Sequence, residues 1–167
     1  IDSLKVHGAD LAFGVPGESY LAVLDALHGA REEIRFIICR QEGGAANMAD
    51  AYGKLTGRPG ICFVTRGPGA SNACVGLHTA FQDSTPLIMF IGQVSRSERD
   101  REAQQEIDYR DMFKPLTKWV AEIDDADRIP EYVSHAFHIA QSGRPGPVVL
   151  SLPEDMLMDR TAAADVR

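Results

Sequence analysis

The chain has 167 residues, with 24 acidic against 17 basic side chains and a formal net charge of −7. This balance gives no basic face for a phosphate backbone, so nucleic acid is excluded as an expected partner. The length suits one domain that buries about two thirds of its unfolded surface, and no apolar run approaches the ~18 residues of a membrane span.

Cys39, Cys62 and Cys74 form neither a CxxC pair nor a zinc spacing. They read as small core residues in a reducing compartment, and no signal-peptide pattern opens the chain, so a cytoplasmic location is expected. Ile1 already stands inside a helical pattern that stops at Gly8, with no initiator methionine. The expectation is a piece of a longer protein.

In chain order, a short strand from Asp10 to Gly14 ends in Val15-Pro16-Gly17-Glu18-Ser19, where Pro16 and Gly17 force a turn and Ser19 is placed to cap the next helix. That helix carries Leu21, Val23, Leu24 and Leu27 and ends at Gly29. An apolar strand, Ile34 to Cys39, runs into Arg40-Gln41-Glu42-Gly43-Gly44-Ala45-Ala46 and a helix to Gly57. The next strand, Ile61 to Thr65, runs into Gly67-Pro68-Gly69-Ala70-Ser71-Asn72 and a helix from Gly69 to Phe81.

Leu87 to Ile91 is continuously apolar and is expected to be a central strand buried on both faces. Residues 95 to 111 form a charged, solvated loop, followed by a strand from Thr117 to Ile123, a capped helix from Ala126 to Gln141, and a strand over Val148 to Leu150. Residues 1–155 are expected to make one domain and 156–167 the start of a linker. Strand and helix alternate throughout, which predicts a three-layer α/β/α sandwich around a six-stranded parallel sheet.

Such a sheet binds ligands beyond the carboxyl ends of its strands. That edge receives Glu42, and the plain reading of a glutamate in a helix's first turn is that it complements the macrodipole. Gly43 and Gly44 argue for more, since each costs about 1 kcal/mol against Ala in a helix interior and such small side chains admit a flat group. The Gly67 turn is similar to a phosphate-binding loop, but Asn72 replaces the third glycine of G-x-G-x-x-G. His135 and His138 read as a surface pair, and Ser71 has no G-x-S-x-G setting for hydrolysis. No metal site is expected.

Taken together, Gly14-Val15-Pro16-Gly17, Arg40 to Ala46, Ala51-Tyr52, Thr56-Gly57, Val64 to Asn72, Asp83-Ser84-Thr85-Pro86, Gly92-Gln93-Val94 and Ser142 to Val148 resemble the N-terminal pyrimidine-binding domain of thiamine-diphosphate enzymes, and the acetolactate synthase group most. The resemblance covers nearly the whole chain in colinear order. It implies the thiamine-diphosphate-binding fold, with Glu42 hydrogen-bonded to N1′ of the cofactor's aminopyrimidine and so promoting proton loss from thiazolium C2. It places Val15 and Pro16 near the cofactor's bend and pyrimidine, Thr65, Pro68 and Asn72 around the ring, and Gln105 at an active-site glutamine position.

It further implies a 2-keto acid substrate, a homodimer or tetramer, and FAD as a possible companion in the intact enzyme. Mg²⁺ and the diphosphate belong to a Gly-Asp-Gly motif in a separate C-terminal domain, and no such motif occurs here. This chain would therefore be inactive alone. Glu18 stands where synthases usually carry a glycine, and Gln104 where they carry a phenylalanine. The alternatives are a natural small subunit of a two-chain decarboxylase and a non-catalytic nucleotide-binding or assembly module.

Overall fold

The computed structural model describes residues 1–166. Helix α1 (Asp2–Val6) leads to β1 (Leu11–Gly14), α2 (Leu21–Gly29), β2 (Arg35–Ile38), α3 (Glu42–Thr56), β3 (Gly60–Val64), α4 (Pro68–Gln82) and β4 (Leu87–Gln93). The short α5 (Tyr109–Phe113), β5 (Trp119–Glu122), α6 (Ile129–Gln141) and β6 (Pro147–Pro153) complete the domain. The six strands lie in the order β2-β1-β3-β4-β6-β5, and every neighbouring pair is parallel. This is the predicted α/β class, and β4 is central with every residue buried.

Alternate side chains of the strands feed two cores. Ile61, Phe63, Ile88, Phe90, Val148 and Leu150 pack against α2 and α6, while Cys62, Val64, Met89, Ile91 and Val149 pack against α3 and α4. The split follows from strand order: β1 to β2 and β5 to β6 run one way across the sheet, and the other connections run the opposite way. Right-handed crossovers then put their helices on opposite faces.

Several boundaries differ from the sequence reading. β6 extends through Pro153, because prolines are tolerated at strand ends. The charged segment after β4 contains α5, capped by the Asp108 carboxylate on the N–H groups of Arg110 and Asp111. Beyond β6, Met156 is fully buried, and residues 159–166 have no regular structure; Arg167 lies outside the described residues. No helix among the described residues is long and apolar enough to cross a membrane.

Helices α3 and α4 touch through small residues. A Cβ on Gly76 would stand 2.6 Å from Ala46 Cβ and 2.7 Å from the Asn47 nitrogen, so backbone meets backbone there. At the other end Lys54 bridges Asp50 at 2.7 Å and Asp83 at 2.6 Å. Gly76→Val should force the pair apart at a cost of roughly 1 to 3 kcal/mol, lowering Tm by roughly 2 to 10 °C in a thermal melt. An unchanged Tm would show that this contact does not set the helix spacing.

Candidate active site

At the carboxyl edge the chain leaves the neighbouring strands β1 and β3 towards opposite faces, the arrangement that opens a crevice in α/β sheets. Two helix N-termini, those of α3 and α4, line it. Gln41 caps α3 by accepting the Gly44 N–H at 2.9 Å, which makes Glu42 the first helical residue. Its Oε2 accepts a hydrogen bond from Asn72 Nδ2, in the first turn and a half of α4, at 3.0 Å.

The other oxygen, Oε1, has no hydrogen-bond partner among the described residues. A Cβ on Gly69 would lie 3.5 Å from it and 2.8 Å from Thr65 Cγ2. Gly69 therefore keeps a gap between the half-buried Glu42 carboxylate and the Thr65 methyl. The two glycines after Glu42 have different uses: a Cβ on Gly43 would press on α4 at Asn72 O and Val75 Cγ1, both 3.1 Å away, whereas one on Gly44 would meet nothing within 4 Å. Only Gly44 leaves open space.

Thr65 also joins the crevice's walls. Its Oγ1 lies 2.9 Å from Ser19 Oγ, which ties the Val15-Pro16 turn to the end of β3. Ser19 is thus no helix cap, contrary to the sequence reading: it is fully buried within the 3₁₀ turn Glu18–Tyr20, and α2 has no side-chain cap. Pro16 and Pro68 are exposed at the rim. The structure so brings Val15, Pro16, Glu42, Thr65, Pro68 and Asn72 to one edge.

Gln105 reaches this edge differently. It is exposed, holds φ at +66°, and packs over Gly67, whose added Cβ would lie 2.8 Å from Gln105 Cβ and carbonyl oxygen. It makes no hydrogen bond to Glu42 among the described residues. The Gly67 turn itself is closed to a phosphate: the N–H groups of Gly67, Gly69 and Ser71 are engaged by Tyr109 Oη, Arg66 O and Gly67 O.

Sequence reasoning missed the arginine beside this turn. Arg66 is buried, with Glu18 at 2.8 Å, Glu154 at 3.0 Å, and the Gln104 carbonyl accepting from Nε at 3.2 Å. The available signal was a charge placed two residues after a fully buried strand, with an acidic Glu18 in the loop after β1. The cysteines offer no nucleophile, since burial pushes the thiols of Cys39, Cys62 and Cys74 up. A groove of about 750 Å³ on α6 lies apart from these residues, and Trp119 there stacks on Tyr132.

A parallel sheet whose crevice is lined by two helix N-termini, one bearing a half-engaged carboxylate, defines a cofactor-binding α/β domain. The chain belongs to the family described as thiamine pyrophosphate enzyme, N-terminal TPP binding domain, whose model matches residues 1–112. It is 43% identical to the acetolactate synthase of Arthrospira platensis over 158 residues, which cover 93% of this chain and 27% of that protein. It is 41% identical to the acetolactate synthase of Bacillus subtilis (strain 168) over 167 residues, 100% of this chain and 29% of that one. For the acetolactate synthase large subunit of Lactococcus lactis subsp. lactis (strain IL1403) the figures are 40% over 156 residues, 93% and 27%. The chain spans less than a third of the length of each of these relatives.

The residues fit one half of thiamine diphosphate. A flat, nitrogen-containing ring needs a hydrogen-bonding partner and room beside it; Glu42 Oε1 is free to act as one, and Gly69 leaves room beside it. Among the described residues no group of three or more His, Cys, Asp or Glu is placed to hold a metal ion.

Tyr109 supports the turn by accepting the Gly67 N–H at 2.8 Å, and burial pushes its pKa up to about 12. A raised pKa favours the protonated fold, so this contribution is whole below about pH 10 and is lost as pH rises through about 12. Tyr109→Phe should cost roughly 1 to 3 kcal/mol at neutral pH by leaving a buried N–H unpaired. Urea unfolding should also show a shallower loss of stability between pH 10 and 12 than in wild type. An identical alkaline slope would contradict the assignment.

Proposed function

We propose that this chain forms the aminopyrimidine-binding half of a site in a thiamine-diphosphate-dependent lyase or transferase of acetolactate synthase type, acting on a 2-keto acid. The observation that carries this reading is Glu42, which sits at a helix N-terminus with Oε2 held by Asn72 and Oε1 open towards the Gly69 gap. When bound, thiamine diphosphate supplies a thiazolium carbon that adds to the keto group and takes up the electrons released as carbon dioxide leaves.

The chain's own part is to hold and move a proton. Asn72 fixes one carboxyl oxygen, so the other keeps a constant direction, and the α3 and α4 N-termini favour negative charge at both. Glu42 can then share a proton with a ring nitrogen at Oε1, where exchange is fast because donor and acceptor are held in place. Val15, Pro16, Thr65 and Pro68 exclude water from the ring, and Gln105 faces the substrate from the Gly67 side. The diphosphate, with its Mg²⁺, falls to a separate domain beyond residues 1–155, and FAD in the intact enzyme and a cytoplasmic location follow by analogy.

Two such chains would pair through α3 and α4, whose outer faces leave Leu55 87% and Val75 57% exposed. Replacing both by Glu should shift sedimentation towards the monomer at micromolar concentration. Association unaffected by the double substitution would place the contact elsewhere.

In the full-length protein, Glu42→Gln should retain the Asn72 contact and the fold but slow hydrogen–deuterium exchange at cofactor C2 by ~10²- to 10⁴-fold, followed by NMR. A residue that only complements the helix dipole would cost at most about 1 kcal/mol of stability and leave exchange unchanged.

A further inference from the structure

Arg66 stands two residues past the fully buried β3, and its side chain is 10% exposed. All parts of the guanidinium are engaged: Nη2 by Glu18, Nη1 by Glu154 and Nε by the carbonyl of Gln104. These partners come from the loop after β1, the chain just past β6 and the loop after β4. One side chain thus ties together the segments leaving four strands at the carboxyl edge.

The ends of the loop after β4 are held by the Arg99–Glu122 ion pair and by Gln93 Nε2 donating to the Ile107 carbonyl at 2.9 Å, and the stretch between them gains its tie from Arg66. Asp100, Glu102 and Gln105 hold φ at +60°, +54° and +66°, a region that residues other than glycine seldom occupy. Within the loop the Glu106 carboxylate accepts the N–H groups of Asp100 at 2.7 Å and Ala103 at 3.1 Å. These bonds shape the loop but do not attach it to the domain. Attachment at the glycine turn comes from Arg66 to Gln104 O and from Gly67 N–H to Tyr109 Oη.

We propose that Arg66 is a positioning residue that fastens the 100–105 loop, and with it Gln105, onto the Gly67 turn. Glu18 and Glu154 let it do so, because a buried guanidinium without carboxylate partners would be an uncompensated buried charge. The planar fork with separate donors suits a three-way tie, and the single nitrogen of lysine does not. The kinetic consequence rests on the cofactor-site reading above, whereas the fastening is a property of the fold alone.

The test uses Arg66→Lys and Arg66→Met in the full-length enzyme, with amide hydrogen exchange and steady-state kinetics on a 2-keto acid. Arg66→Lys keeps the charge, and exchange at residues 100–105 should rise about tenfold or more while amides of β3 and α3 keep wild-type protection. In the same variant kcat/KM should fall about tenfold, and adding Gln105→Ala should cause little further loss, because both changes act through one loop. Arg66→Met should show the same pattern more strongly; if it fails to fold, Arg66→Lys decides.

Unchanged loop exchange in Arg66→Lys would overturn the proposal, as would a uniform rise across the domain, which marks a general stabiliser. Full additivity with Gln105→Ala would overturn it as well. A wild-type enzyme with no thiamine-diphosphate-dependent turnover would remove the cofactor reading instead, and the exchange result would still decide the fastening.

Discussion

The close approach of α3 and α4 is the constraint on which the site depends. Gly43 and Gly76 admit neighbours where any Cβ would intrude, and the buried Ala45, Ala46, Ala49, Ala70 and Ala73 add no more than methyl groups. Two helices that follow different strands, one at the sheet's edge and one at its centre, are thereby brought close at their first turns. Only at that spacing do the short side chains of Glu42 and Asn72 meet. A larger residue at Gly76 would therefore act on the site from a distance, through geometry and not through chemistry.

The same economy of size explains the turn after β3. Gly67 lies beneath Gln105, and Gly69 separates Thr65 from Glu42. Backbone amides that would hold a phosphate in a dinucleotide-binding loop are engaged within the domain. The positive ends of α3 and α4 then act on a side-chain carboxylate. A chain with net charge −7 is poorly suited to gather a diphosphate, and the half proposed for it is the ring that carries least charge.

Much of the fold was legible because each strand is an apolar run that ends in glycine, proline or a short polar turn, and α/β alternation leaves few topologies. That Glu42 opens a helix at this edge was legible for the same reason: strand-to-helix turns fall on one edge of a parallel sheet. Contacts between distant residues were not. Arg66 meets partners 48 and 88 positions away, and no local pattern announces such pairs. Ser19 had the right chemistry for a cap, yet its hydroxyl meets Thr65, because the preceding turn presses that loop against β3. Helix α5 has five residues, too few for periodicity to show within a charged segment. Gly43 and Gly44 looked alike in sequence, and only their surroundings separate a packing glycine from an open one.

The most direct measurement of the central claim is a crystal structure of the full-length protein with bound thiamine diphosphate. The account predicts a pyrimidine ring nitrogen at ~2.6–3.2 Å from Glu42 Oε1, with Oε2 still on Asn72 and the ring edge beside Gly69. A ring bound away from Gly69, or a Glu42 carboxylate turned to solvent while the cofactor is fully ordered, would contradict it.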